Sequence, residues 1–425
     1  MQVDSVDSGP SVLILPKGHS EHSSLRVALD VTPAMTQGAG IGRVARHLAR
    51  ALPLLDQETR YTYLYATEGR DGMIPAGFLP VPHPPEGDLR LPATAPGYGP
   101  GENVTLKRLP LPAAWMTRLW HRARVPVPVE RFTGPVDCYH ALDYVAPRVR
   151  HARLLVTVHD LSFLAVPRYA EPSLAAYLGG IVPGVVRRAD TVLAVSAFTA
   201  REVVERLHIP PERVCVVPNG VEGRFRPYPP GERAEARAAV AGLVGGADRP
   251  YLLAVGTLEP RKNYPTLLRA YARLRAAGLP HTLVIAGRQG WRFDPIFETL
   301  QELHLAGQVQ FGSPPDGLLP ALYNAADAVV APAWYEGFGL SVLEGIACGV
   351  PVVASDIPPH REVAADAAWY ADPGDVVALA DAITAALDAD ETTRAARRAI
   401  GLGRAATMGW GDAARALLRV YQGEP

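Results

Sequence analysis

A chain of 425 residues, 48% hydrophobic and 20% charged, has the length of two or three domains and the composition of an ordinary globular protein. Its formal net charge of −1 argues against a bulk nucleic-acid binder, and Cys138, Cys215 and Cys348 are too widely spaced for a disulfide framework or a metal-ligand pattern. The apolar run at 12–15 is too short for a signal-peptide core or a membrane span, so a soluble protein of a reducing cytoplasm is expected.

Residues 1–24, rich in Ser, Gly and Asp, read as a loose tail. Residues 26–31 read as the first buried strand, which feeds Gly38-Ala39-Gly40-Ile41-Gly42 and a helix at 43–52 with Val44, Leu48 and Leu52 on one face. A dinucleotide fingerprint requires a further glycine where Arg43 stands, so that motif fails. A glycine loop before a helix still lets backbone approach a phosphate. A second strand follows at 61–65, then a long Pro- and Gly-rich loop at 70–101. From 106 to 127, Lys107, Arg108, Arg118, Arg122 and Arg124 are interleaved with Leu109, Trp115, Met116, Leu119 and Trp120. That stretch reads either as an amphipathic segment on an anionic membrane or as a crossover helix with a solvated basic face. A short strand at 136–140 ends on His140. Residues 154–158 form a near-continuous apolar strand, as in buried parallel sheets, and deliver His159-Asp160-Leu161-Ser162-Phe163 at their carboxyl end. Ligands of α/β folds bind at such ends. After a strand at 191–196, Ser196 or Thr199 is placed to cap a helix at 200–207. Pro227, Pro229 and Pro230 then mark a linker.

The second half opens with a strand at 251–256, followed by Thr257-Leu258-Glu259-Pro260-Arg261-Lys262-Asn263 and a helix from Pro265. An adjacent Arg–Lys pair at a strand-to-helix junction suits a pyrophosphate, because Arg grips two oxygens and Lys adds a compact charge. Lys otherwise occurs only at Lys17 and Lys107. Further strands are expected at 281–287 and 328–330. The last leads through Trp334-Tyr335-Glu336-Gly337-Phe338-Gly339 into a helix-like run at 340–348 that carries Glu344, and a β-branched strand follows at 351–355. Strand, glycine loop, helix, strand is half of a doubly wound α/β fold. Seven residues separate Glu336 from Glu344, so both can flank one ligand while amides between them hold its anionic part.

These motifs resemble those of the retaining glycosyltransferases of family 4, also called glycosyl transferases group 1, which have the GT-B fold. The resemblance runs from about Arg26 to Tyr421, is strongest at 251–356 and weakest at 70–129. It implies two Rossmann-like α/β domains facing across a cleft: an acceptor domain at 25–225 and a nucleotide-sugar domain at 226–405, with a helix at 406–425 crossing back. It implies catalytic roles for His159, Arg261, Lys262 and Glu336. Donor contacts fall to Gly40, Gly42, Gly256, Gly337, Phe338, Gly339, Leu340, Ser341 and Glu344, the last on the ribose. His140 and Asp160 fall on the acceptor side. Between Phe311 and Asp316 the chain is one residue shorter than the family pattern, which departs from its base pocket.

The resemblance further implies that neither a metal nor another cofactor is needed. It points to the mannosyl- and rhamnosyltransferase-like branch that builds bacterial surface polysaccharide, with GDP-mannose as donor and a glycan or lipid-linked hydroxyl as acceptor. No nucleic-acid partner is expected; the N-terminal domain is the candidate for a peripheral contact at the inner face of the plasma membrane. The rival readings are another donor (UDP-glucose, UDP-GlcNAc or a dTDP- or GDP-deoxysugar), a nicotinamide-dependent oxidoreductase, a glycoside hydrolase with two flanking carboxylates, and a non-catalytic nucleotide-sugar sensor.

Overall fold

The computed structural model describes residues 24–37, 40–67, 102–118, 120 and 125–424. The expected tail up to residue 23, the loop at 70–101, Gly38 and Ala39, and Leu119, Arg122 and Arg124 of the basic segment lie outside the described residues.

Two sheets, of seven and six strands, organise the chain. The first holds β1 (Arg26–Asp30), β2 (Arg60–Tyr65), β3 (Val104–Arg108), β4 (Cys138–Ala141), β5 (Arg153–Val158), β6 (Thr191–Ala194) and β7 (Val214–Val216), in the order β3-β2-β1-β4-β5-β6-β7. The second holds β8 (Tyr251–Val255), β9 (Thr282–Ala286), β10 (Val309–Gly312), β11 (Ala328–Ala331), β12 (Val352–Ser355) and β13 (Ala368–Ala371), in the order β10-β9-β8-β11-β12-β13. Every pairing is parallel. Strands such as β5 and β11 bury almost every residue because helices cover both faces of a parallel sheet. In each sheet the winding direction reverses once, between β1 and β4 and between β8 and β11. The crevice outside the carboxyl ends of such a strand pair is where doubly wound folds hold ligands.

The start of the basic segment is a strand, not a helix or a membrane-lying stretch. Val104 to Arg108 pairs with β2 at the sheet's rim, with Val104 and Leu106 packed in the core. Only one side of an edge strand is paired, so Lys107 and Arg108 are tolerated there. The short helix Ala113–Thr117 follows.

The last helix, Trp410–Gln422, shares a hydrophobic core with the N-terminal sheet: Trp410, Ala414, Leu417 and Tyr421 pack with Val44, Leu48 and Leu52 of the helix Ile41–Leu55. Its approach is fixed at Gly220, where a Cβ would lie 2.4 Å from the Trp410 amide nitrogen, and by Val221 N–H donating to the Met408 carbonyl at 2.8 Å. The chain therefore crosses between the two lobes twice.

Candidate active site

Two loops meet at the switch point of the second sheet. After β8, Gly256 lets the Lys262 stem lie against the strand end: a Cβ there would sit 3.1 Å from Lys262 Cε and from the Tyr264 hydroxyl. A single turn, Pro260–Lys262, then presents both cations, and Asn263 turns the chain with φ 59°. The Asn263 amide donates to the carbonyls of Pro332 (2.9 Å) and Pro373 (2.7 Å), and Trp334 N–H donates to the Arg261 carbonyl at 2.9 Å. These bonds lash the loop after β8 to the loops after β11 and β13.

Glu336 stands where the loops touch. Lys262 Nζ lies 2.5 Å from its Oε1, and Arg261 Nη1 lies 3.1 Å from its Oε2. Arg261 also donates to the Tyr335 carbonyl (3.0 Å) and to Glu259 (2.7 Å), and Asp160 of the other domain sits 4.0 Å away. Burial alone would push the Glu336 carboxyl up; Lys262 and Arg261 outweigh it and hold the group at about 2. Burial likewise opposes the Arg261 charge, and Glu259, Glu336 and Asp160 together raise its pKa well above the usual value. The result is a pre-formed cationic pair, desolvated and fixed in direction.

The N-terminal domain closes directly onto this loop. Ser196 Oγ and Thr199 Oγ1 donate to the Gly337 carbonyl at 2.6 and 3.1 Å. A Cβ on Gly337 would lie 1.8 Å from the His159 carbonyl oxygen, so only glycine permits this approach. The Tyr335 hydroxyl donates to Glu202 and accepts from Leu161 N–H at 3.1 Å. Trp334 stacks on Tyr169 with ring centroids 6.1 Å apart. Glu362 reaches the other way, accepting the Ala197 and Phe198 amides (2.8 and 2.7 Å) at the start of the helix Ala197–Leu207. A carboxylate there also meets the positive end of the helix dipole.

His159 and Asp160 thus lie against the loop that carries Glu336. The His159 ring donates from Nε2 to the Leu142 carbonyl at 2.8 Å, which leaves Nδ1 as its remaining nitrogen. Gly339 adopts φ 104° and starts the helix Leu340–Ala347, whose first amides face the same junction. Leu340 and Ser341 are half-buried. Phe338 is a core residue, packed with the apolar side chains under this helix, so only its backbone is left to face a ligand. Gly40 opens the helix Ile41–Leu55 with φ 55° and free space around its α-carbon, while a Cβ on Gly42 would strike the Gln37 carbonyl at 1.8 Å.

The expected acceptor-side role of His140 is corrected. It is fully buried, with Nδ1 2.7 Å from the Tyr421 hydroxyl and Nε2 2.8 Å from Thr157 Oγ1. Nδ1 pins the last helix to β4 and Nε2 ties β4 to β5, so both nitrogens are taken, and burial drives its pKa down to about 3. It has no atom to offer an acceptor. Glu344 is also engaged: Arg43 lies 2.6 Å from one oxygen and the Tyr323 hydroxyl donates to the other at 2.7 Å.

Sequence reasoning missed several of these residues. Arg43 entered only as the residue that spoils a glycine fingerprint, yet it bridges the lobes through Glu344 and pairs with Glu222 (3.4 Å) within its own lobe. Glu222 also receives His47 (3.1 Å) and Arg224 (2.7 Å). Asp143, following β4, is half-buried with its carboxyl pushed up by desolvation and pulled back by His159. His360, beside Gly339, has no polar partner at Nε2 among the described residues. Chemistry-bearing residues placed after strand ends were the only available signal.

With this geometry in view, comparison with known proteins is direct. Residues 38–223 match the model of "Glycosyltransferase Family 4", and residues 244–400 match that of "Glycosyl transferases group 1". Over 286 residues the chain is 32% identical to an O-antigen chain mannosyltransferase B of Escherichia coli, covering 67% of this chain and 74% of that protein. Over 247 residues it is 34% identical to a D-inositol 3-phosphate glycosyltransferase of Nocardia farcinica, covering 56% of this chain and 53% of that one. Among solved structures, a sucrose-phosphate synthase of Thermosynechococcus elongatus superposes with a TM-score of 0.70 at 21% identity, over 94% of this chain and 98% of that one. The HepE protein of Anabaena in complex with UDP-glucose superposes with a TM-score of 0.66 at 17% identity, over 94% and 99%. At these identities the structures speak to the fold alone. The chain is a glycosyltransferase of family 4, built on the GT-B fold.

Proposed function

We propose that this glycosyltransferase is retaining and metal-independent, and that it moves mannose from GDP-mannose to a hydroxyl of a glycan or lipid-linked acceptor in surface-polysaccharide synthesis. The observation that carries the donor reading is the Arg261–Lys262–Glu336 cluster at the β8/β11 switch point, closed over by His159 and Asp160. Cleavage of the glycosidic C–O bond builds negative charge on the departing diphosphate. Arg261, Lys262 and the amides at Gly339–Ser341 are fixed beforehand to receive it, and such pre-organised electrostatics is usually the largest catalytic contribution. A diphosphate that draws the two cations toward itself frees the Glu336 oxygens to accept sugar hydroxyls. His159 then presses on the sugar from the other lobe. The mannose assignment rests on the E. coli relative.

Acceptor and location stay proposals as well. Among the described residues no helix is long and apolar enough to cross a membrane. The exposed Leu111 and Trp115 on the N-terminal lobe support a surface contact near a lipid-linked acceptor.

The test is a donor panel with EDTA present, reading nucleotide release and the anomeric configuration of the product by NMR. GDP-mannose is expected to give release with retention. Release only from UDP-glucose overturns the donor. Loss of release on chelation overturns metal independence, and an inverted product overturns retention.

A further inference from the structure

His360 sits in the short helix Pro358–Ala364 after β12 and is fully buried. Its Nδ1 lies 3.1 Å from the Ser355 carbonyl. A carbonyl only accepts, so Nδ1 carries the hydrogen, and in the neutral ring Nε2 is a bare lone pair. That lone pair has no hydrogen-bond partner among the described residues. The Ser355 hydroxyl, at the carboxyl end of the same strand, is likewise buried and without one. Buried polar atoms are nearly always satisfied, and leaving one unmet is costly, so two at one strand end mark a place meant for a polar ligand.

The position of the ring identifies that place. A Cβ on Gly339 would lie 2.9 Å from His360 Cδ2 and 3.6 Å from Nε2, so this edge of the imidazole rests on the glycine that opens the donor helix. Burial pushes the imidazole down to about 4, against the pull of Glu336 and the Ser355 carbonyl and with the help of Lys262. The ring is therefore neutral near pH 7 and close enough to feel both Lys262 and Glu336 of the cluster. A diphosphate near pH 7 offers only acceptors, which a lone pair repels. A sugar hydroxyl offers a hydrogen.

We propose that His360 Nε2 accepts a hydrogen bond from a hydroxyl of the donor sugar, reading the pyranose beside Glu336 while Arg261 and Lys262 hold the diphosphate. This rests on the donor reading above and deepens it: His360 is a specificity residue for the sugar, silent toward the nucleotide.

Asn and Gln separate anchor from reader. His360→Asn places an amide near the Nδ1 position, keeping the Ser355 bond and deleting Nε2. His360→Gln places an amide oxygen near Nε2. Calorimetry with GDP and GDP-mannose, and with UDP and UDP-glucose alongside, gives the sugar's share of affinity as the ratio within each pair. The expected result is that His360→Asn weakens the nucleotide sugar about tenfold, the worth of one such bond, with the free diphosphate unchanged, and that His360→Gln recovers most of the loss. Equal weakening of diphosphate and nucleotide sugar, or no weakening of either, overturns the proposal. Should His360→Asn fail to fold, GDP-mannose analogues lacking one hydroxyl decide it. One of them must bind wild type about tenfold more weakly than GDP-mannose, keep most of that penalty in His360→Gln, which retains an acceptor, and lose it in His360→Phe, which has none; a penalty that His360→Phe retains in full overturns it. A wild type that binds none of these ligands sinks the donor reading itself, a distinct outcome.

Discussion

Lys262 and Glu336 are 74 positions apart in the chain and 2.5 Å apart in space. Each is there because a strand ends next to it, and each has one charge to spend on whatever enters the crevice. Removing the Lys262 ammonium leaves Arg261 to neutralise Glu336, so the fold survives while the leaving diphosphate loses a fixed cation. Lys262→Ala should retain its circular dichroism and a cooperative melt, and lose transfer about 100- to 1,000-fold. Glu336→Ala should lose turnover on the same scale. Near-normal turnover in either variant would refute the role.

His140 makes a different residue-scale prediction. Its folded pKa, about 3, lies below the 6.5 of the free side chain, so between those values the unfolded chain binds more protons than the folded one. Its contribution is complete above about pH 6.5 and is lost as the pH falls toward about 3. Denaturant titrations should show the wild type about 2 kcal/mol less stable at about pH 5 than at about pH 7 from this group alone. His140→Gln should flatten that dependence; an unchanged pH profile would show that His140 is not held neutral.

At the scale of elements, Gly337 governs how closely two loops approach. A methyl group there meets the His159 carbonyl, and the only relief is for the lobes to part. Gly337→Ala should leave thermal stability near wild type and reduce transfer by about 100-fold, since displacements near 1 Å at a reacting centre cost that much. Wild-type kinetics in this variant would mean that the observed closure is not the reactive one. The same scale shows what could be read beforehand. The parallel strands, the cationic turn after β8 and the glutamate loop after β11 were legible, because each is a contiguous run with its own periodicity or turn chemistry. β3 was not: an edge strand with Lys107 and Arg108 on it looks, letter by letter, like one face of a basic helix. His140 ends a strand and looked like a site residue, but Tyr421, 281 positions away, takes its nitrogen. His360, in the short helix Pro358–Ala364, drew no notice, although its Nε2 has no hydrogen-bond partner among the described residues. Partners so distant in sequence cannot be paired from one chain.

For the whole molecule, closure is written in bonds that cross the cleft: Tyr335 to Glu202, Ser196 and Thr199 to Gly337, Arg43 to Glu344, and Glu362 to the helix Ala197–Leu207. Most join the loop after β11 or the helix Leu340–Ala347 to the N-terminal lobe, so ligand binding at that loop is predicted to be coupled to domain closure. Glu362 lies outside the ligand cluster and tests that coupling cleanly. Glu362→Ala removes two charge-assisted bonds and should raise the donor KM about tenfold. Small-angle scattering should report a larger radius of gyration than for wild type; an unchanged radius and KM would place the coupling elsewhere.

The central claim is that one desolvated cationic turn recognises a pyrophosphate between two lobes. Calorimetric titration of GDP and GMP into the wild type and into the Arg261→Ala, Lys262→Ala double variant tests it most directly, with UDP and UMP as the second pair. The account predicts that wild type prefers the diphosphate to the monophosphate by at least about 100-fold, roughly two charge-assisted bonds, and that the double variant loses the preference while still folding. A folded double variant that binds the diphosphate as tightly as wild type would contradict it.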